Sequence, residues 1–167
     1  QRAYATTMAE LALSCPVMRQ LRARFADEGT FVEQLDRPRA DGCRLSFLAD
    51  EGAVRAVASY VMTELLFSGR FCYVDDLVTE ETGRSLGYGG ALFDWLVAEA
   101  RAAGCVNFQI DSGVQRFAAH RFYLAKRVVI GSHQFSLALY AFRRAPRPRG
   151  RSGEKSGERG AGGGGGG

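Results

Sequence analysis

The chain has 167 residues, 46% of them apolar, which suits one domain with a sizeable core. Its net charge of +4 is uneven: Arg143, Arg144, Arg147, Arg149, Arg151, Lys155 and Arg159 against Glu154 and Glu158 put +5 at the C-terminal end, leaving about −1 on the preceding 142 residues. No apolar run approaches the roughly 18 residues of a membrane span, no basic-then-apolar leader is read, and the four cysteines show neither a CxxC pair nor metal-like spacing with His120 or His133. A cytoplasmic protein with reduced thiols, no metal and no membrane partner is expected.

Residues 1–7 carry a weak strand signal. Ser14 reads as an N-cap, with Pro16 in the first turn of a helix ending at Phe25 and striped by Val17 and Leu21. Thr30-x-x-Glu33 reads as a capping box opening a short helix over 31–35 that Pro38 stops. Residues 43–49 and 53–64 read as strands around the Asp50-Glu51-Gly52 turn, and Ser68-Gly69 leads into a third strand over 71–79. Short turns make these an antiparallel meander.

Arg84-Ser85-Leu86-Gly87-Tyr88-Gly89-Gly90 then places three glycines in four positions where a helical period begins. Leu92, Phe93, Leu96, Val97, Ala100 and Ala103 share one face of that helix, and Gly104 is its stop. Glycines let backbone N–H groups point inward, and a helix start adds unpaired donors and a positive dipole end, so the turn suits phosphate or pyrophosphate. Arg84 at its mouth adds a cation. GxGxxG would need glycine at Leu92, and the lysine of a P-loop is missing. Residues 106–110 form a short strand that the helical crossover makes parallel to 73–79. Residues 115–126 are helical in pattern, and 128–140 alternate loosely, as a closing strand would.

Arg84-x-x-Gly87-x-Gly89 follows a strand ending in Leu-Val. About 35 residues later comes Ala118-Ala119-His120-Arg121-Phe122-Tyr123-Leu124-Ala125-Lys126. Together, in this order, the two segments resemble the signatures of the GNAT superfamily of acyl-CoA-dependent N-acetyltransferases. The resemblance covers about residues 1–142. It implies an α/β (α+β) fold, with a mixed central sheet of about six to seven strands, flanking helices and a splayed central strand pair. It also implies acetyl transfer from acetyl-CoA to a primary amine of a small molecule or peptide by direct attack. Backbone groups of Leu77, Val78 and Thr79 would then bind pantetheine, and Arg84, Ser85, Leu86, Gly87, Tyr88, Gly89 and Gly90 the pyrophosphate. Tyr123 stands at the general-acid position, where a phenol can protonate the departing sulfur.

For the base, Asp75 and Asp76 are adjacent on a strand, so regular alternation sends them to opposite faces. A carboxylate inside a central strand is costly unless paired or functional. Either one can take the amine's proton or bind the ammonium; Glu64 is a third candidate, and Asp111-Ser112-Gly113 can line the acceptor side. His120 and His133 read as surface residues. One departure stands out: the family has glycine soon after the Phe-Tyr pair, where this chain has Lys126-Arg127-Val128. The competing reading is a non-catalytic acyl-CoA sensor or interaction module. Residues 143–167 read as a disordered Arg/Gly-rich tail without the aromatics that nucleic-acid stacking needs, and a homodimer is compatible with the family.

Overall fold

The computed structural model describes residues 2–4, 7–25, 27–137 and 139. Among them, five strands make one sheet in sequential order: β1 (Arg2–Tyr4), β2 (Arg44–Asp50), β3 (Ala53–Leu65), β4 (Gly69–Thr79) and β5 (Asn107–Ile110). The first four are antiparallel; β5 pairs parallel to β4. Helices α1 (Met8–Arg19) and α2 (Glu28–Ala40) cover one face. Helix α3 (Tyr88–Ala102) covers the other and makes the crossover to β5, and α4 (Phe117–Ala125) follows.

Alternation along the strands divides the core. Leu45, Phe47, Val57 and Val78 meet Leu11, Cys15, Met18, Phe31 and Leu35 of α1 and α2. Leu48, Ala56, Ala58, Tyr60, Cys72 and Val74 meet Leu92, Leu96 and Ala100 of α3. Fully burying a leucine such as Leu92 or Leu96 contributes about 2–3 kcal/mol, which fixes α3 on the sheet. Among the described residues no helix is long and apolar enough to cross a membrane.

Both N-terminal helices start earlier than expected. Thr7 caps α1 through a complete box with Glu10, while Ser14 is buried and donates to the Glu10 carbonyl at 3.3 Å. Asp27 caps α2 by accepting from the Thr30 N–H at 2.8 Å. Pro16 and Pro38 both lie inside helices. Each removes one backbone donor, yet the burial of Phe31 and Leu35, and of Cys15 and Met18, outweighs that loss.

Five of the six to seven expected strands form among the described residues. The expected closing strand is absent over 128–137, where Val129, Ile130, Phe135 and Leu137 are exposed. Alternation is a local signal, whereas a strand needs a partner, and these residues have none in the sheet. Tyr140, the boundary at 142 and the tail 143–167 lie outside the described residues.

The corner before 128 explains the Lys-Arg departure. Helix α4 ends with Arg127 N–H donating to Leu124 O and Val128 N–H to Tyr123 O, both at 3.0 Å, with Arg127 at φ +62. This is a Schellman cap with arginine in the left-handed position that glycine favours. Lys126 meanwhile ties α4 to α3, its ammonium 2.7–2.8 Å from both Asp94 carboxylate oxygens.

Candidate active site

The site is organised by the end of β4. Its ladder with β5 runs from Phe71–Asn107 to Val74–Ile110 and stops, while β4 continues to Thr79. Leu77, Val78 and Thr79 therefore pair with β3 on one side only and lie beyond the end of β5 on the other. A strand edge left uncovered beyond the end of its parallel neighbour leaves main-chain groups for a ligand to meet.

The connection from β4 to α3 is built from short-range contacts. Glu80 accepts from the N–H groups of Thr82 and Gly83 at 3.1 Å, forming a 3-10 turn over Glu81–Gly83. The Thr82 hydroxyl also donates to this carboxylate, and that bond first, with the backbone bonds after it, holds the carboxyl below its ordinary value. Ser85 and Gly87 then both take left-handed conformations, φ +67 and +88. Tyr88 opens α3 and anchors it by donating its phenol to Asp50 at 2.7 Å. Ala91 N–H makes the first bond into the helix, to Gly87 O. The amides of Gly87, Tyr88, Gly89 and Gly90 have no partner among the described residues.

Glycine is required at 89 by contact, not by dihedral angle. A Cβ there would overlap the Thr79 hydroxyl, so the bare backbone lets α3 sit against the end of β4. At Gly87 the left-handed φ is the reason, and the space around it is open. Arg84 is exposed and 3.8 Å from Glu81, a weak pairing that leaves it free to reach an anion. Unpaired amides at a helix start, alternating backbone handedness and a nearby guanidinium together fit a pyrophosphate.

The other half of the site lies on the α1/α2 face. The β3–β4 register shifts between Ser59 and Tyr60: Ser59 opposes Asp76 and Tyr60 opposes Val74, leaving Asp75 as the extra residue of a bulge. The expectation that Asp75 and Asp76 face opposite ways is thereby corrected, because one guanidinium reaches both. Arg22, between α1 and α2, places Nε and Nη2 each 2.8 Å from Asp76 Oδ1, and Nη2 3.6 Å from Asp75 Oδ1. The Ser59 hydroxyl donates to Asp76 Oδ2 at 3.0 Å. Asp76 is buried, with 7% exposure, whereas the Asp75 side chain keeps 60%. Desolvation and then Asp76 raise the Asp75 carboxyl above its ordinary value, with Arg22 and Arg24 opposing.

Tyr73 donates to Asp111 at 2.7 Å, and its phenol is pushed up to about 12, first by burial and then by that bond. Tyr123 lies half-buried on α4, with its ring against Phe122, whose own ring packs on Phe93 of α3. Burial raises the Tyr123 phenol, and Arg116 pulls the other way. No hydrogen bond engages its hydroxyl among the described residues. Glu64 is exposed, opposite Arg70 at the hairpin end of β3 and β4, about 20 Å along the strand from Asp76. It takes no part in this site. Sequence reading missed Arg22, Ser59 and Tyr73. A paired acid in a central strand announces that a cation must meet it, but not which one.

Comparison with known proteins gives concordant results. A family model described as the acetyltransferase (GNAT) family matches residues 6–127. YhdJ, an uncharacterized N-acetyltransferase of Bacillus subtilis (strain 168), is 33% identical over 140 residues, covering 83% of this chain and 94% of its own. A transcriptional regulator from Bacillus halodurans C-125 superposes with TM-score 0.72 at 18% identity, over 83% of this chain and 98% of that one. An acetyltransferase from Trypanosoma brucei gives 0.69 at 19% identity, over 83% and 99%. At these identities the two structures attest the fold.

Proposed function

The chain belongs to the GNAT acetyltransferase family, and on that premise we propose that it transfers an acetyl group from acetyl-CoA to a primary amine of a small molecule or peptide. The observation that carries this reading is the cradle at the end of β4: amides from Gly87 to Gly90, unpaired among the described residues, on a helix start that the missing Cβ of Gly89 lets sit against Thr79. When bound, acetyl-CoA supplies an activated thioester.

Each half of the site has a task. Main-chain groups of Leu77, Val78 and Thr79 would pair with the pantetheine arm, and the segment from Arg84 to Gly90, through its amides from Gly87 onward and the Arg84 guanidinium, would hold the pyrophosphate. One carboxylate of the Asp75–Asp76 pair receives the ammonium and takes its proton, leaving a neutral nitrogen to attack. Tyr123 Oη is the proton donor for the leaving sulfur. Its raised pKa keeps it protonated at neutral pH, and it has no competing acceptor among the described residues. Tyr73 is the weaker choice because its proton already serves Asp111. Residues 1–142 form the catalytic domain in this reading, with 143–167 outside it, and neither nucleic acid nor a membrane is a partner. The protein works in the cytoplasm, and as a monomer or homodimer.

Calorimetric titration with acetyl-CoA tests the premise. Wild type should bind at micromolar strength, and a Gly87→Glu/Gly89→Glu double variant should lose that binding, because two carboxylates would fill and repel the anion's seat. A folded wild type without affinity for acetyl-CoA would leave a GNAT-like interaction module as the better description.

A further inference from the structure

We propose that Arg22 is a positioning residue that commits Asp76 to the scaffold and leaves Asp75 as the carboxylate that meets the acceptor's ammonium. This rests on the acyl-transfer reading and assigns different roles to two adjacent, chemically identical side chains.

The geometry separates them. Asp76 Oδ1 accepts twice from Arg22, Oδ2 accepts from Ser59, and the side chain is almost wholly buried. Both oxygens are engaged and neither faces bulk solvent, so an incoming ammonium would have to displace a guanidinium already making two short bonds. Asp75 has one longer contact to the same guanidinium and a mostly exposed side chain. The β-bulge makes this possible: it sets both carboxylates within reach of Arg22 at different depths. Arg22 belongs to the connection between α1 and α2, so the same contacts fix that connection against β4. The charged and titratable groups acting on Asp75 are Asp76, Arg22, Arg24 and Asp111, with Tyr73 and Cys43 also coupled to it.

The test compares Asp75→Asn, Asp76→Asn, Arg22→Ala and Arg22→Lys with wild type. Thermal unfolding should show Asp76→Asn and Arg22→Ala melting about 5–10 °C lower, as loss of charge-assisted bonds to a buried group implies. Asp75→Asn should melt at or slightly above wild type. Carboxyl-carbon NMR of the apo protein, which needs no acceptor, should place Asp75 above the ordinary range. In Arg22→Ala it should titrate higher still, because the attraction that favours its ionised form is gone; Arg22→Lys should restore part of the difference.

With acetyl-CoA and a panel of an alanine-terminated peptide, a lysine peptide and spermidine, Asp75→Asn should lower kcat/KM about 100-fold or more and abolish the acid limb of the pH profile. Asp76→Asn should keep that limb. The proposal falls if Asp76→Asn loses the limb while Asp75→Asn keeps it, or if Arg22→Ala changes neither the melting temperature nor the Asp75 titration. A wild type that acetylates nothing in the panel and does not bind acetyl-CoA would overturn the acyl-transfer reading and the ammonium role of Asp75 with it. The melting and NMR results would still decide whether Arg22 commits Asp76 to the scaffold.

Discussion

The two halves of the site, on either side of the end of β4, are made of different material. The half proposed for the donor is main chain: a left-handed Ser85 and Gly87, a bare Gly89 against Thr79, and four amides unpartnered among the described residues. The half proposed for the acceptor is side chain: Arg22, Asp75, Asp76, Ser59, and the Tyr73–Asp111 pair. A main-chain site depends on what is absent, and one added carbon can close it. A side-chain site depends on functional groups whose meaning is set by neighbours far away in sequence.

Substitutions can separate the halves. The largest effect is expected from Tyr123→Phe, which should reduce kcat about 10²–10⁴-fold, the usual range for a general acid. Its acetyl-CoA affinity by calorimetry should be unchanged; a comparable loss of affinity would place the phenol in binding and erase the distinction. Next comes Gly89→Ala. Overpacking against Thr79 should lower stability by about 1–3 kcal/mol and weaken acetyl-CoA binding. A second change, Thr79→Ala, should recover most of both, which a loss of backbone freedom at Gly89 would not allow.

Two smaller effects sharpen the comparison. Helices α2 and α3 end in the same Schellman geometry as α4, but with Gly42 (φ +89) and Gly104 (φ +77) where α4 has Arg127. Arg127→Gly should therefore stabilise the protein by about 1 kcal/mol in chemical denaturation, with no change in either half of the site. On stability, as distinct from turnover, Asp75→Asn should be the mildest. Its folded pKa is raised, so the native state holds the proton to higher pH than the unfolded chain does, and stability declines as pH rises through that window. The asparagine variant should match wild type below the window and melt slightly higher above it; the reverse order would contradict the raised pKa.

What could be read from sequence follows the same division. Strands β2 to β4, the glycine turn and α3 were legible because each carries a local signal: alternation, φ-permissive residues and a 3.6-residue stripe. The start of α1 was misplaced because Ser14 and Pro16 resemble a helix opening. The working box, Thr7 with Glu10, lies seven residues earlier in a weakly patterned stretch. The bulge at Asp75 was invisible, since a register shift belongs to two strands at once, and it reverses the inference that neighbouring aspartates face apart. Arg22 was hidden for a related reason: its partners lie 53 and 54 positions away. The alternation after α4 was legible as a pattern, but pairing is a tertiary event, and 128–137 stand apart from the sheet.

The short β4–β5 ladder has a practical consequence. Beyond Val74, one edge of β4 is not sealed by β5, and an open strand edge is a template for whatever extended chain arrives first. If acetyl-CoA is that chain-like occupant, it also acts as a cap against self-association. Purification and storage without it should then favour aggregates, and saturating it should raise the apparent melting temperature in proportion to the logarithm of its concentration.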